Sequence, residues 1–250
     1  MLSKTQVDKV GDRLRCGEVD EDALTRLSEY QAEFDVAYAY VERILTKRMY
    51  LSVTGRPAKS TLSIIEKLKR INSRLSQVQD ISGCRVIVHA LTDQDDVVRR
   101  ARQWFPSIEV DDKREKPTHG YRAIHLLISY AGKCIEVQVR TRLQHFWATI
   151  SEKLSDTFGQ GIKYGQGDPD VLAVLRELSE GIKRFELIVD KVTVLKREAA
   201  LAKRDKNMKV FKALNKNLEP HETQLRLRMY QMREIFIRLD ELERRHVLSN

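Results

Sequence analysis

The sequence predicts an α+β protein, in which a small mixed β-sheet is flanked by helices and followed by a helical C-terminal extension. Short apolar or alternating runs bounded by turn residues are typical of strands, and they occur at residues 83–90, 107–112, 121–130 and 133–140. Apolar residues at spacings of three or four indicate amphipathic helices before, between and after these runs. Beyond Pro169 the pattern is helical to the end.

The predicted helices divide the chain into two parts. Residues 1–168 hold the sheet and its helices, and residues 169–250 form the extension. The tight turn Ala131-Gly132 joins the last two strands as a hairpin. Residues 158–168 form a glycine-rich loop, and the segment from Asn215 to Pro220 is predicted to break the extension. The expected helices cover residues 19–49, a stretch from Ser60 towards Leu75, and then 92–104, 141–157, 170–204 and 221–248.

Composition narrows the classes of partner and location. The 45 basic and 36 acidic residues give the chain of 250 residues a net charge of +9, which favours anionic partners. Three scattered cysteines without zinc-site spacing indicate reduced thiols and a cytoplasmic location. No signal-like segment or long apolar run is present, so no membrane association is expected.

The C-terminal extension offers two surfaces for partners. Residues 183–216 hold 11 Lys/Arg against 4 Asp/Glu, a surplus of +7. This segment is either a solvated helix face or a binding patch for tRNA, another RNA, the ribosome or a nucleotide. The wide apolar faces of the extension pack onto the rest of the chain or, alternatively, form a homo-oligomer.

A polar face on one strand is the first chemical signal. Ile135, Val137 and Val139 alternate with Glu136, Gln138 and Arg140, so the polar three share the face opposite the apolar three. A carboxylate in mid-strand is costly to bury unless it binds a metal, a partner or a substrate. The alternative is a solvent-facing glutamate on an edge strand.

A second signal lies at the helix that begins near Ser60. Lys59, Ser63 and Lys67 are spaced by four and stack on one helix face, with Arg56 just upstream. Two ammonium groups and a hydroxyl beside free N–H groups make a cradle for polyphosphate, although such spacing also occurs on ordinary helix surfaces. The P-loop pattern is absent.

Two further groups complete the candidate site. Asp80, followed by Arg85, stands at the entrance of strand 83–90, and Asp80 with Glu136 would supply two carboxylates to Mg²⁺. Tyr121 and His125 are predicted to share one strand face, where a ring and an imidazole suit a nucleoside. The alternatives are a turn aspartate and a core tyrosine.

The order of five motifs over roughly residues 45–165 resembles the synthetase domain of the RelA/SpoT family. These motifs are KSTLSIIEKL, DISGCR, GYRAIH, EVQVRT and WATISEKL. The resemblance implies a sheet of nucleotidyltransferase type that transfers pyrophosphate from ATP to the 3′-hydroxyl of GDP or GTP, making (p)ppGpp in the stringent response.

The resemblance also implies roles for single residues. Asp80 and Glu136 would hold Mg²⁺, with Glu136 also activating the attacking hydroxyl. The ATP phosphates would be held by Arg56, Lys59, Ser63, Lys67 and Arg85, and the acceptor by Tyr121, His125 and Gln138. Independently of the resemblance, Arg140 is predicted to form a supporting ion pair and Trp147 to anchor the following helix in the core.

Three departures from the family pattern affect the donor side, the acceptor side and the helix after the catalytic strand. Arg56 and Lys59 are one residue further apart than usual, and His119 stands where the acceptor loop usually has Asn. Ser151-Glu152 replaces the usual Glu-His pair. A toxin-like relative that modifies the 3′ end of tRNA is therefore an alternative, as is an inactive RNA-binding or scaffold protein. Hydrolase activity is not expected, since none of the six histidines is followed by Asp.

Overall fold

The computed structural model describes residues 2–249, without the side chains of residue 56 and of residues 247–249. Five strands form one mixed sheet in the order β1-β2-β5-β4-β3, so that β5 lies at its centre. β1 pairs antiparallel with β2, and β4 pairs antiparallel with β5. The strands are β1 (Val53–Arg56), β2 (Ser82–Val88), β3 (Ile108–Asp112), β4 (Ile124–Tyr130) and β5 (Lys133–Thr141).

Helices precede, interrupt and follow the strands, as the sequence predicts for an α+β protein. Thr141 caps the helix that follows the central strand, because its side chain accepts the N–H of Gln144. The bounds are α1 (Lys4–Cys16), α2 (Glu21–Ala32), α3 (Asp35–Arg43), α4 (Thr61–Ile71), α5 (Leu91–Trp104), α6 (Arg142–Phe158), α7 (Pro169–Arg204) and α8 (Met208–Ser249).

Several predicted boundaries are wrong. The single helix over 19–49 is divided into α2, α3 and a π-helical turn at Ile44–Arg48, and the short strand β1 was not predicted. The predicted break at 215–220 does not occur, because α8 continues through Pro220. An internal proline costs about 3 kcal/mol, and the packing of α8 along α7 overrides this cost. The chain instead turns at 205–207, where Lys206 has a φ of 56°.

The chain divides into two compact units. The first comprises Met1–Ile87, Val97–Asp111 and Ile124–Val139, and the second Val88–Asp96, Asp112–Ala123 and Arg140–Asn250. In the first unit α1 packs against α2 and α4. In the second unit Trp147 is buried among apolar residues of α6, α7 and α8, and its indole donates to the Leu175 carbonyl, which confirms its predicted core position. None of the described helices has the length and apolarity to cross a membrane.

The hairpin of β4 and β5 has the predicted turn. Ala131 and Gly132 have φ values of 48° and 74°, both in the left-handed region that a tight two-residue turn requires. The register that follows places His125 opposite Gln138 and Leu127 opposite Glu136. The apolar residues Ile135, Val137 and Val139 are fully buried, as the alternation predicts.

Gly83 permits the close approach of β2 to the central strand. A Cβ at this position would lie 2.4 Å from the carbonyl oxygen of Glu136, which is closer than real Cβ atoms come to other atoms. The added Cβ would be attached to the backbone of β2, and the oxygen belongs to the backbone of β5. The clash could therefore be relieved only by displacing a strand. Gly83 therefore fixes the spacing between the entrance of β2 and Glu136.

Gly83→Ala is expected to lower the free energy of unfolding by about 2 kcal/mol, because overpacking between strands costs energy in that range. Denaturant unfolding followed by circular dichroism measures the change. Gly181→Ala is the matched control, since a Cβ there meets only Ile235 at an ordinary 3.7 Å and alanine favours helix. Equal stability of the Gly83→Ala variant and the wild type would contradict this account of the strand contact.

Candidate active site

The buried carboxylate of Asp80 forms two salt bridges. Lys59 Nζ lies 2.7 Å from one of its oxygens and Lys67 Nζ lies 2.7 Å from the other. The Asp80 side chain is only 17% exposed. The structure thus brings together three residues that the sequence assigned separately to phosphates and to a metal.

The start of α4 holds the two lysines in place. Ser60 caps the helix by accepting the N–H of Ser63, and Lys67 lies four residues further along. The backbone N–H of Lys59 donates to the Ile81 carbonyl at 2.8 Å, and Gln31 donates to the Lys59 carbonyl at 2.6 Å. The first bond attaches the segment before the helix to the entrance of β2, and the second attaches it to α2.

Ser60 and Gln31 were not among the predicted site residues. The position of Ser60 could have been predicted, since it precedes an amphipathic run as an N-cap does. The role of Gln31 could not, because its partner lies 28 positions away in the sequence.

The two lysines keep Asp80 ionised. Burial alone would raise the pKa of this carboxyl, but the charges and hydrogen bonds of Lys59 and Lys67 outweigh burial and lower the pKa from 3.8 to about 2. At neutral pH the group is therefore a carboxylate between two ammonium ions.

A second buried carboxylate, Glu136, lies on the central strand. Its Oε1 is 3.0 Å from His125 Nδ1 on the neighbouring strand, and Gln138 donates to its Oε2 at 2.7 Å. Burial raises the pKa of Glu136, but the bonds to His125 and Gln138 outweigh burial, so the pKa lies below its usual value. The alternative of a solvent-facing glutamate on an edge strand is wrong, because β5 is central and the group is largely buried.

The two carboxylates interact electrostatically. The charge of Asp80 opposes the ionisation of Glu136, so the two carboxylates lie close enough in the first unit to influence each other. Ser63 accepts a hydrogen bond from Ser60 at 2.8 Å on the helix that carries Lys67. Arg85 is half-buried on β2, opposite Thr54. The Arg56 side chain lies outside the described residues.

This arrangement fits the predicted Mg²⁺. Within the described residues, no cluster of three or more histidine, cysteine or acidic side chains forms a complete metal site. Mg²⁺ does not require one, because it binds through one or two carboxylates with waters and substrate phosphates as its other ligands. Asp80 and Glu136 supply two ionised carboxylates of that kind.

Tyr121 occupies a position different from the predicted one. It precedes β4 and forms an isolated bridge with Thr118, so it does not share a strand face with His125. Positive φ values at His119 and Gly120 interrupt the extended backbone there. In the second unit the guanidinium of Arg140 lies 4.9 Å from the ring centroid of Tyr121 and donates to its hydroxyl at 2.8 Å.

Comparison with known proteins places the chain in a family. Residues 55–156 match the family described as the region found in RelA/SpoT proteins. GTP pyrophosphokinase YjbM of Bacillus subtilis is 32% identical over 149 residues, which are 54% of this chain and 67% of that relative. The chain belongs to the RelA/SpoT family. An uncharacterized protein of Mycobacterium tuberculosis is 36% identical over 127 residues, 49% of this chain. The chain spans less than half (46%) of that mycobacterial relative.

Solved structures of the family share the fold. The small alarmone synthetase 1 of Bacillus subtilis, bound to its product pppGpp, gives a TM-score of 0.55 at 22% identity. The match covers 71% of this chain and all of that chain. The mixed sheet flanked by helices, with C-terminal helices after it, is therefore the fold of these proteins, as the sequence predicts.

The salt bridges of Asp80 with its two lysines predict how the free energy of unfolding changes at low pH. The folded-state pKa of about 2 lies below the ordinary 3.8, so the stabilisation is complete above about pH 4 and is lost as the pH falls through about 2. The shift corresponds to about 2 kcal/mol. Between these pH values the free energy of unfolding is expected to fall more steeply in the wild type than in Asp80→Asn.

Urea unfolding at a series of pH values measures the two slopes. The matched control is Asp205→Asn, because among the described residues this exposed carboxylate bonds to no side chain but its neighbour Arg204, and the substitution should leave the steep slope unchanged. Parallel curves for the wild type and Asp80→Asn would show that the lysines do not stabilise the carboxylate.

Proposed function

We propose that this member of the family transfers the pyrophosphate of ATP to the 3′-hydroxyl of GDP or GTP, making (p)ppGpp, and has no hydrolase activity. The observation that carries the proposal is a cluster of two lysines around one carboxylate, Lys59, Lys67 and Asp80, together with the ionised carboxylate of Glu136. The relative YjbM, which is named a GTP pyrophosphokinase, and a related structure that holds pppGpp as product support the same reaction.

The lysines would act on the donor. Without substrate their charges are directed at Asp80, and a bound triphosphate would offer them more negative charge than one carboxylate does. Lys59 and Lys67 would then neutralise phosphate oxygens, with Ser63 donating from the same helix. By the resemblance, Arg56 and Arg85 belong to this donor group as well.

Asp80 and Glu136 would hold Mg²⁺ through their carboxylates. When bound, the ion would supply positive charge at the phosphate oxygens and so polarise the β-phosphate. Glu136 is aimed by His125 and Gln138, which leaves its orientation fixed before substrate arrives.

Glu136 would also accept the proton of the attacking hydroxyl. The 3′-oxygen forms a bond to the β-phosphorus of ATP, the bond from that phosphorus to the α,β-bridging oxygen breaks, and AMP leaves. The proton lost by the hydroxyl goes to the Glu136 carboxylate. Positioning and charge stabilisation would account for most of the acceleration.

Labelled ATP tests the reaction and its acceptor together. Supplied with ATP labelled in its γ-phosphate and Mg²⁺, the protein is expected to transfer label to GDP or GTP, and Glu136→Gln and Asp80→Asn should each lower turnover by about 100-fold or more. Glu109→Gln is the matched control, since Glu109 is an exposed acid on the edge strand β3. Label found only on the 3′ end of tRNA would replace the guanine nucleotide as acceptor, and no labelled product would reject the activity.

Tyr121 is expected to contribute to binding of the acceptor and not to binding of ATP. By the resemblance its ring would stack on guanine, and stacking contributes about 1–3 kcal/mol per base. Tyr121→Ala should therefore raise the KM for GDP about tenfold or more and leave the KM for ATP within about twofold. Steady-state kinetics with each substrate varied in turn measure the two constants. Equal increases in both would remove Tyr121 from the acceptor site.

A further inference from the structure

Within the second unit, the first long helix of the C-terminal extension contacts the acceptor loop, residues 116–121. The Ser179 hydroxyl of α7 donates to the Gly120 carbonyl at 2.6 Å and accepts from Arg122 Nε at 3.2 Å. These two partners lie on either side of Tyr121 in the chain. One side chain of α7 therefore holds the backbone directly before Tyr121 and the side chain directly after it.

The guanidinium of Arg122 is buried and depends on partners from the protein. Its side chain is 4% exposed, and a buried cation without partners is strongly destabilising. Besides bonding to Ser179, it donates to the Arg114 carbonyl and forms a salt bridge with Glu180. Ser179 and Glu180 belong to α7, and Arg114 belongs to the segment that leads into the acceptor loop. Arg122 therefore joins the residues before and after the loop to α7.

The backbone of the acceptor loop is closely packed on three sides. A Cβ at Gly120 would lie 2.8 Å from Cζ2 of Trp147 and 3.3 Å from Cβ of Ser179. A Cβ at Gly165, in the glycine-rich loop, would lie 2.2 Å from Nδ1 of His119. The loop therefore rests against α6, α7 and the glycine-rich loop, with little space for its backbone to move while these contacts are kept.

Helix formation does not account for the serine at position 179. Serine is a weaker helix former than alanine, because its hydroxyl competes for backbone hydrogen bonds. Ser179 is 2% exposed, and its hydroxyl bonds to two residues outside the helix. Residue 179 also lies beyond residues 55–156, the part of the chain that matches the family, so the match assigns it no role.

We propose that Ser179 and Glu180 are positioning residues for the acceptor nucleotide. They hold Gly120 and Arg122, and the backbone of these two neighbours sets where the ring of Tyr121 lies. A ring whose place is fixed before binding loses less conformational freedom when it stacks on a base. The inference rests on the proposed function, because it takes Tyr121 as the residue that stacks on the acceptor. It makes the C-terminal extension part of the acceptor side.

Steady-state kinetics on the full chain, with each substrate varied in turn, test the proposal. Ser179→Ala should raise the KM for GDP about tenfold and leave the KM for ATP within about twofold, because it leaves two buried groups without a partner. Glu180→Ala should raise the KM for GDP about fivefold, since the buried Arg122 loses a partner that is itself 52% exposed. Glu180→Gln should stay within about twofold of the wild type, because its amide oxygen still accepts from Arg122.

Ser155→Ala and Glu177→Ala are the matched controls. Ser155 is a buried serine of α6 whose hydroxyl donates to the Ser151 carbonyl of the same helix at 2.7 Å. Glu177 lies on α7 and pairs with Arg238 of α8. Both variants should keep the KM for GDP within about twofold of the wild type. Equal increases in the two KM values in Ser179→Ala, or an unchanged KM for GDP, would overturn the positioning role.

Hydrogen exchange without nucleotides separates this inference from the proposed activity. The N–H of Tyr121 is the reporter, because it donates to the Thr118 carbonyl at 3.0 Å within the loop. In Ser179→Ala it should exchange about tenfold faster, with the N–H groups of α6 unchanged. Unchanged exchange at Tyr121, or equally faster exchange throughout the second unit, would overturn the inference by itself. A wild-type protein that transfers label to no acceptor would instead overturn the proposed function.

Discussion

The salt bridges of Asp80 are the constraint on which the rest of the first unit depends. A carboxylate that is only 17% exposed would be destabilising alone, since its lost hydration must be replaced by charge and hydrogen bonds. Lys59 and Lys67 supply both, one from the segment before α4 and one from the helix itself. The position of α4 against the entrance of β2 is therefore set by charge as well as by apolar packing.

The proposed role in binding the donor uses the same two lysines. Lys59 and Lys67 carry two positive charges, and the carboxylates of Asp80 and Glu136 carry two negative ones, so the charges balance without a ligand. In the proposed reaction a bound polyphosphate would take the place of Asp80 as the partner of the two lysines. Gly83 also constrains the site, because the close contact of its strand with the Glu136 carbonyl fixes the position of the Glu136 backbone in the sheet.

Local periodicity explains which parts of this site the sequence could predict. The alternation of Ile135 to Arg140 identified the polar face of β5, and the four-residue spacing of Lys59, Ser63 and Lys67 identified the face of α4. The turn at Ala131-Gly132 fixes the hairpin register, so the neighbourhood of His125 and Glu136 follows from it. Each of these features is encoded within about ten residues of sequence.

The features that failed to be predicted depend on distant contacts or on single backbone angles. The bond from Gln31 to Lys59 joins residues far apart in the chain. Tyr121 lies outside β4, which begins only at Ile124, and the helix through Pro220 is sustained by packing against α7. The short edge strand β1 has only four residues, too few for a periodic signal. Roles assigned to the site residues by family resemblance stay predictions.

The hydrogen bond between His125 and Glu136 has a consequence for how such a site would respond to its surroundings. A carboxylate whose pKa lies below its usual value is already ionised throughout the neutral range, and acidification by a unit or two leaves it so. A general base of this kind is weak, and it is also insensitive to moderate acid. The acid limb of a pH–rate profile governed by Glu136 would lie well below neutrality. If Glu136 is the base of the proposed reaction, the reaction rate would not respond to moderate acidification.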